Sequence, residues 1–355
     1  MTRPAVGLAV HTPGGPVRPW SFERRDLRPH DVAVAITHCG VCHSDVEAIH
    51  GVRAPDLPLV PGHEFVGRVS AAGGSVTRFR VGDAVAVGNS VDSCGACEEC
   101  LAGYENHCSG GGPTRTYWGV DRHDGRRTQG GWSTEYVASE TWVHHLPDVL
   151  DPAAAAPLMC AGITTWEALR HWAVGPGTTV GVVGIGGLGH LGVKFAKALG
   201  AEVVAFTLAP ERVADIKALG ADDVVVSADP DALAAQARRF DFVLDTASGP
   251  HDLAPYLRSL RLHGTLCLLG ITPVVEIETR ALRVGRHSLS GSGTGSPARV
   301  QEMLAFCAEH GIVADVDVLP SAQVATALDR LERGDVSYRI VLDLADLADL
   351  ATVTA

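Results

Sequence analysis

Residues 179–200 read TVGVVGIGGLGHLGVKFAKALG, and this segment sets the architecture of the second half of the chain. An apolar, strand-like run leads into a glycine-rich turn, and a helical pattern follows that ends at a glycine. A G-x-G-x-x-G turn between strand and helix is the context that dinucleotide binding requires. Gly184 would form the tight turn, Gly186 would admit a pyrophosphate, and Gly189 would let helix and strand pack closely. A glycine turn with only a structural role is the alternative.

Further apolar strands and helical segments alternate after this turn. The strand patterns are EVVAFT, DDVVV, DFVLDTA and GTLCLLG, and the helical segments include PERVADIKALG and HDLAPYLRSLR. Alternation at this spacing predicts βαβ units and an α/β fold with a doubly wound parallel sheet. The turn residues expected to contact the dinucleotide are Gly184, Gly186, Gly187, Leu188 and Gly189.

The end of the strand EVVAFT bears on which dinucleotide binds. Sites for NAD usually carry an acidic residue there, which holds the ribose hydroxyls. This chain instead reads Thr207-Leu208-Ala209, and Arg212 follows as a cation for a 2′-phosphate. These residues favour NADP(H) over NAD(H). Alternatively, Arg212 lies on a solvated helix face and does not contact the cofactor.

The first part of the chain has a different character. DVAVAITHCG, FVGRVSAAG and GDAVAVG are short apolar patches bounded by turn residues. Near Asp151 the sequence becomes rich in alanine and permissive for helix. We therefore predict a mostly β domain over residues 1–155, a dinucleotide-binding domain over residues 156–294 and a C-terminal segment over residues 295–355.

The composition is that of an ordinary globular protein with an acidic surface. Of the 355 residues, 46% are hydrophobic and 20% are charged, and the formal net charge is −12. An acidic surface argues against nucleic acid or an anionic membrane as a partner. The sequence shows no secretory signal pattern and no apolar run long enough to span a bilayer, so we expect a cytoplasmic protein.

Four of the nine cysteines lie together in one short loop. The spacing Cys94-x2-Cys97-x2-Cys100-x7-Cys108 offers the four thiolates that suit a tetrahedral zinc ion. Four protein ligands leave no open position, so this zinc would be structural and would fold the lobe over residues 94–108. A free or disulfide-bonded set and an iron–sulfur cluster are the alternatives.

A second group of metal-ligand residues is dispersed along the chain. CGVCHSD contributes Cys42, PGHE contributes His63 and Glu64, and PLMC contributes Cys160. Two thiolates and one imidazole would leave a fourth zinc position for substrate, as in catalytic sites. Their spacing does not show that they meet, and a single buried cysteine or histidine is more often part of the core.

These motifs together resemble the zinc-containing medium-chain alcohol dehydrogenases, and most closely the cinnamyl alcohol dehydrogenase-like branch with its bacterial NADP-dependent aldehyde reductases. The resemblance covers nearly the whole chain. It implies a GroES-like catalytic domain, a Rossmann domain, a C-terminal segment that returns to the catalytic domain, and a homodimer. The motifs that carry it are CGVCHSD, VPGHEFVG, VGDAVAVG, CGACEECLAGYENHC, TQGGWSTEYV, PLMCAGITTWEAL, VGIGGLGHLGVKFAKALGA and GDVSYRIVLDL.

The resemblance implies the ligands of the catalytic zinc. Cys42, His63 and Cys160 would bind this ion, and Glu64 would join them when the open position is vacant. Asp45 would accept a hydrogen bond from His63 and so fix its tautomer.

The resemblance also implies positions for proton transfer and for the cofactor. Ser44 would take the proton of the alcohol, His43 would lie near the pyrophosphate, and Thr164 would lie near the nicotinamide. Many relatives carry a histidine five residues after the first zinc cysteine, at the outer end of the proton relay, where this chain has Glu47. His50 is a substitute for that histidine, and a relay through water is the other alternative.

The implied function is hydride transfer between the nicotinamide C4 of NADP(H) and a zinc-bound alkoxide or carbonyl. Two zinc ions per chain and a small alcohol or aldehyde substrate belong to this expectation. Arg115 stands where plant relatives often have an aromatic residue. Facing the pocket it would favour an acidic or hydrogen-bonding substrate, and facing solvent it would have no such effect. Imine or iminium reduction and a non-catalytic zinc and dinucleotide-binding protein are the alternative functions.

Overall fold

The computed structural model describes residues 2–51, 57–271 and 274–353, without the side chains of residues 351–353. The chain divides into two compact units. The first unit comprises Met1–Cys160 and Gly295–Ala355, and the second comprises Ala161–Thr294.

The strands of the described residues are β1 (Arg3–Ala9), β2 (Arg18–Arg24), β3 (Asp31–Val41), β4 (Phe65–Ala72), β5 (Ala84–Val87), β6 (Ser90–Asp92), β7 (Thr114–Arg115), β8 (Glu135–Ser139), β9 (Val143–His145), β10 (Thr179–Val183), β11 (Glu202–Thr207), β12 (Asp223–Val226), β13 (Phe240–Asp245), β14 (Leu260–Leu268), β15 (Ser288–Gly291), β16 (Val316–Pro320) and β17 (Arg339–Asp343). The helices are α1 (His43–Ile49), α2 (Glu98–Leu101), α3 (Pro152–Ala155), α4 (Ala161–His171), α5 (Gly189–Ala198), α6 (Val213–Ala218), α7 (Pro230–Ala234), α8 (Ala254–Ser259), α9 (Thr279–Val284), α10 (Pro297–His310), α11 (Val324–Glu332) and α12 (Leu347–Val353).

The second unit contains a parallel sheet with the strand order β12-β11-β10-β13-β14-β15. Every residue of the central strand β10 is buried, as expected for a strand that is covered on both faces. The order runs outward from β10 in both directions, which is the doubly wound arrangement. The predicted α/β fold of this part of the chain is therefore confirmed.

The first unit is built on a mostly antiparallel sheet. Its strand order is β16-β17-β3-β4-β5-β9, and β8 also pairs with β3. The long strand β3 is central because it pairs with β4, β8 and β17. The C-terminal segment supplies β16 and β17, so residues far apart in sequence share one sheet. The expectation of a mostly β fold for this unit is confirmed.

The alanine-rich segment after Asp151 is not one continuous helix. The Asp151 side chain accepts from the Ala154 amide at 2.9 Å and caps α3, as its place before Pro152 predicts. A 3-10 turn over Ala156–Met159 follows and packs on β3, β4 and β5. The first unit therefore extends to Cys160, beyond the predicted boundary at residue 155. Cys160 itself lies in the break before α4, with φ −127° and ψ −72°.

The C-terminal segment contributes a long helix and a buried strand. PARVQEMLAFCAEH forms α10, which ends at Gly311 in the left-handed conformation with φ 65°. YRIVLDL contains β17, of which four of five residues are buried. Among the helices of the described residues, none combines the length and apolar character needed to cross a membrane.

Candidate metal centre and dinucleotide turn

The junction of β3 and α1 fixes the first candidate ligand. Cys42 precedes α1 in an extended conformation and acts as its N-cap residue. The Asp45 carboxylate accepts from the Cys42 backbone amide at 2.9 Å, which is half of a capping box. Because Asp45 is fully buried, this contact holds the Cys42 side chain at a defined place at the end of β3.

Asp45 also connects α1 to the loop that carries His63. Its Oδ1 accepts from the Gly62 amide at 2.9 Å and lies 3.3 Å from His63 Nδ1. A carboxylate only accepts, so Nδ1 donates to it, and Nε2 on the opposite side of the ring is the nitrogen that can bind a metal ion. This geometry fits the orienting role expected for Asp45.

Four ligand atoms converge in the first unit. The Cys42 and Cys160 sulfurs, a His63 ring nitrogen and a Glu64 carboxylate oxygen all lie within 4.8 Å of one another. His63 Nε2 is 3.3 Å from Cys160 Sγ and 3.7 Å from Glu64 Oε1. Sulfur, imidazole nitrogen and carboxylate oxygen are the donors that zinc takes in proteins. The fold thus brings together residues that sequence spacing leaves far apart.

Glu64 is fully buried, and one of its oxygens has no partner. Oε1 pairs with Arg339, whereas Oε2 has no hydrogen bond to any described residue. Gly40 makes room for this carboxylate, since a Cβ at that position would lie 2.3 Å from Oε2. A buried carboxylate with an unpaired oxygen is unfavourable, and the charge of a cation at the ligand cluster would offset part of that cost. The residues present therefore fit a bound metal ion.

Arg339 completes this site, although no role had been predicted for it. It lies on β17, is 5% exposed, and donates to Glu64. A signal was present in GDVSYRIVLDL, where an arginine enters an apolar strand. Because a buried arginine requires an anionic partner, such a residue is a candidate for a charged site.

The electrostatics of the cluster reflect its burial. Hydrogen bonding from Cys160 lowers the pKa of the Cys42 thiol well below its usual range, and His63 adds to this effect against burial. The contact with Cys42, together with burial, raises the pKa of Cys160. Burial raises the pKa of Glu64 to about 7 despite the opposing charge of Arg339. A cation at the cluster would favour the thiolate forms of Cys42 and Cys160 and the carboxylate form of Glu64.

The four cysteines of the predicted zinc lobe also converge. Their sulfur atoms lie within 4.8 Å of one another. Cys94 Sγ is 3.9 Å from Cys100 Sγ, and Cys97 Sγ is 3.9 Å from Cys108 Sγ, so these pairs are not disulfides. A Cβ at Gly110 would lie 2.7 Å from Cys94 Sγ, which explains a glycine next to the cluster. Four sulfurs at this spacing fit a tetrahedral metal ion.

The other residues of α1 and its C-terminal end that were predicted to act in the site differ in their exposure to solvent. Ser44 and Glu47 are half-buried, and His43 is exposed. His50 lies outside the ligand cluster, because its Nε2 pairs with Glu332 Oε1 at 2.7 Å in a surface contact. Exposed pairs of this kind contribute little to stability.

The segment around Tyr117 borders the cluster. The Tyr117 ring lies 5.5 Å from the His63 ring, centroid to centroid. Trp118, the next residue, is half-buried and has φ 58°. Arg115 is exposed, with its guanidinium 3.5 Å from Ser90 Oγ. The structure thus supports the solvent-facing alternative for Arg115.

The glycine turn of the second unit has the geometry of a dinucleotide loop. Gly184 has φ 78°, which only glycine adopts without strain, and α5 begins at Gly189. A Cβ at Gly189 would lie 2.1 Å from the Gly184 carbonyl oxygen, so the third glycine is required for close packing. A Cβ at Gly186 would meet no atom of the described residues within 4 Å, so the turn presents an open backbone there. Gly187 and Leu188 complete the turn before the helix.

The other predicted cofactor residues lie in the same unit. Thr207 ends β11, and its hydroxyl oxygen accepts from the Ala209 amide at 3.1 Å. Arg212 closes a 3-10 turn that leads into α6. Thr164 is half-buried on α4.

Sequence comparison identifies the family. The alcohol dehydrogenase GroES-like domain matches residues 28–148, and the zinc-binding dehydrogenase domain matches residues 187–309. The aldehyde reductase YahK of Escherichia coli is 46% identical over 94% of this chain and 96% of its own length. The chain belongs to the zinc-containing medium-chain alcohol dehydrogenases.

Other members of this family are similar over the same length. NADP-dependent alcohol dehydrogenase C 1 of Mycolicibacterium smegmatis is 43% identical over 94% of this chain and 95% of its own length. A cinnamyl alcohol dehydrogenase structure from Sorghum bicolor matches with a TM-score of 0.92 and 40% identity, covering 96% of this chain and 98% of that one. A cinnamyl alcohol dehydrogenase from Helicobacter pylori in complex with NADP(H) matches with a TM-score of 0.90 and 32% identity, covering 97% and 99%. The predicted resemblance and fold class are confirmed.

Proposed function

We propose that this medium-chain dehydrogenase is a zinc- and NADP(H)-dependent alcohol dehydrogenase that works mainly as an aldehyde reductase. The convergence of the Cys42 and Cys160 sulfurs with a His63 nitrogen and a Glu64 carboxylate oxygen carries the proposal. The relatives named aldehyde reductase and NADP-dependent alcohol dehydrogenase support it.

The first unit would hold the catalytic metal. Cys42, His63 and Cys160 are the proposed ligands, with Glu64 as an additional ligand. A bound zinc ion supplies Lewis acidity, which polarises a carbonyl and makes an alcohol more acidic. Asp45 keeps the His63 ring in the tautomer that can bind metal, because its carboxylate faces Nδ1.

Proton transfer is assigned to α1. We infer that the Ser44 hydroxyl exchanges the substrate proton and that Glu47 accepts it at the outer end of the relay. The two residues are three positions apart on one helix, so their side chains lie on neighbouring positions of its surface. Both are half-buried, whereas His50 is exposed and engaged with Glu332. This difference favours Glu47 over His50.

The second unit would bind the cofactor, which exchanges the hydride through its nicotinamide. The turn over residues 184–189 and the N-terminus of α5 are proposed to hold the pyrophosphate through backbone amides. The absence of an acid at Thr207 and the nearby cation Arg212 favour the 2′-phosphate of NADP(H). His43 near the pyrophosphate and Thr164 near the nicotinamide complete the proposed contacts.

A second zinc ion is proposed for the lobe over residues 94–108, which gives two per chain. The four sulfurs there leave no open position, so this ion would stabilise the lobe without taking part in the reaction.

Homodimer formation and a cytoplasmic location are also proposed. Strand β15 is the last strand of the parallel sheet in the second unit, and an edge strand can pair with another copy. The exposed apolar side chains of Ile271, Val274 and Val284 belong to the same unit and support an interface. The nine cysteines are free, as expected in a reducing compartment. Sedimentation equilibrium and cell fractionation test these two points.

The proposed function is tested by metal analysis combined with activity assays. We expect two zinc ions per chain and reduction of aromatic or aliphatic aldehydes with NADPH in preference to NADH. Cys160→Ala should lose one zinc ion and nearly all activity, whereas Cys307→Ala, which alters a buried cysteine on α10, should keep both. Full activity of Cys160→Ala, or a strong preference for NADH, would contradict the proposal.

A further inference from the structure

The loop after β13 carries a histidine whose two ring nitrogens both face oxygen acceptors. His251 Nε2 lies 2.8 Å from Asp245 Oδ2, and Nδ1 lies 2.8 Å from the Gly249 carbonyl oxygen. A carbonyl oxygen cannot donate, and a neutral imidazole has only one N–H. With both contacts made, the ring carries two protons and faces the carboxylate as a cation. The other arrangement, with a neutral ring and a protonated Asp245, puts the proton on the weaker base.

Asp245 is a fixed partner for this ring. It is the last residue of β13, and its side chain is 1% exposed. Its Oδ1 accepts from the Ala247 amide at 3.1 Å, and its carbonyl oxygen accepts from the Leu269 amide at 2.7 Å. These contacts fix the Asp245 carboxylate in place. Its distance from the His251 ring therefore depends on the position of His251.

The segment between these two residues packs on the glycine turn. The Thr246 hydroxyl donates to the Gly184 carbonyl oxygen, and a Cβ at Gly184 would lie 3.1 Å from the Ala247 amide nitrogen. A Cβ at Gly189 would lie 3.0 Å from the Thr246 hydroxyl oxygen. Thr246 and Ala247, the first two residues of the loop that His251 closes, therefore form a wall of the turn proposed to hold the pyrophosphate.

The groups that face the His251 ring favour its charged form. Burial opposes the charge, but the Gly249 carbonyl, the Asp245 carboxylate and the charge of Asp252 outweigh it and raise the pKa of His251. Tyr256 of α8 packs against the ring with centroids 6.0 Å apart. The side chain of His251 is 23% exposed, so it can exchange its proton with solvent.

We propose that the His251 imidazolium is a positioning residue for the dinucleotide site: its contact with Asp245 closes the loop over residues 246–251 and so holds Thr246 and Ala247 against the glycine turn. Loss of one ring proton removes one of its two hydrogen bonds and loosens this wall. The inference rests on the proposed dinucleotide binding by the second unit. Affinity for the cofactor is then full in the acidic range, where the ring is charged, and falls as the pH rises through the pKa of His251.

Cofactor binding measured against pH tests the role of His251. We expect the Kd of NADPH, measured by fluorescence titration between pH 6 and pH 9, to rise roughly fivefold, the effect of one net hydrogen bond. In His251→Gln the Kd should be higher at pH 6 and should lack this rise. His171→Gln, which alters an exposed histidine of the same unit, should follow the unmodified protein. The 2′-phosphate, whose second pKa is about 6, titrates in all three proteins, so its effect cancels in their ratio.

Asp245→Asn provides a second test that does not depend on the folding of His251→Gln. Removal of the carboxylate charge lowers the pKa of His251, so the rise in Kd should move to lower pH. A Kd–pH curve of either variant that parallels the unmodified protein overturns the positioning role. Absence of NADPH binding at every pH in the unmodified protein would instead overturn the proposed function.

Discussion

Arg339 and Glu64 form a buried ion pair inside the candidate metal centre, although 275 positions separate them in the chain. The arginine comes from the C-terminal strand β17 and the glutamate from the loop before β4. The pair balances the charge of a carboxylate that belongs to the candidate ligand set. It also ties the C-terminal segment to the residues that would bind zinc.

Arg339→Met should destabilise the protein strongly, because it leaves the Glu64 charge buried without its partner. We expect a loss of about 3–5 kcal/mol in the free energy of unfolding. The double variant Glu64→Leu/Arg339→Met should lose less than Arg339→Met alone, since no uncompensated charge remains. Urea unfolding of the three proteins measures both values. Equal stability of Arg339→Met and the unmodified protein would show that the pair is not needed.

Asp45→Asn should weaken zinc binding without unfolding α1. The amide keeps the shape of the side chain and one acceptor oxygen, but the negative charge that faces His63 Nδ1 is lost, and so is one of the two acceptors of Asp45. Outer-sphere partners of this kind typically change metal affinity by about 10- to 100-fold. Competition with a chromogenic chelator measures the zinc affinity. The control is Asp222→Asn, which alters an exposed aspartate paired with Lys197. An unchanged affinity in Asp45→Asn would exclude the orienting role.

Glu47→Gln should alter the dependence of kcat on pH while both zinc ions remain bound. The amide cannot accept the relay proton, so we expect kcat to fall by about tenfold or more at neutral pH. His50→Gln is the matched control, because His50 is engaged with Glu332 at the surface. Coincident pH profiles of Glu47→Gln and the unmodified protein would remove Glu47 from the relay and favour transfer through water.

His144 should make the first unit sensitive to acid. Burial, with the charges of Arg78 and His145, lowers the pKa of His144 to about 3, and its Nδ1 has no partner among the described residues. In the unfolded chain the pKa is about 6.5, so below that pH the unfolded state binds a proton that the folded state excludes. Stability therefore falls as the pH falls, by roughly 2 kcal/mol between pH 7 and pH 5.

The variant His144→Leu should lack this contribution. Unfolding in urea at pH 7 and pH 5 compares it with the unmodified protein and with His11→Gln, which alters an exposed histidine. Metal loss at low pH affects all three proteins alike. If His144→Leu loses as much stability between the two pH values as the unmodified protein, His144 does not cause the acid sensitivity.

Local sequence patterns determined the secondary-structure elements of this fold and the residue types of its candidate metal ligands. The turn at Gly184 was predictable because strand, glycine spacing and helix are adjacent in sequence and each follows from backbone sterics. The lobe with Cys94 and Cys108 was predictable for the same reason, since all four sulfurs lie within one loop. In both cases the interactions that matter are short-range along the chain.

Only the tertiary structure decided which distant side chains share one site. Cys42, His63 and Cys160 come from separate elements, and their meeting depends on long-range packing that no periodicity encodes. Arg339 lies beside them because β17 pairs with β3. His50 lies outside the cluster, where it contacts Glu332. The physical reason is that burial and charge pairing act through space, so the partner of a buried group is fixed by the fold rather than by the neighbouring residues.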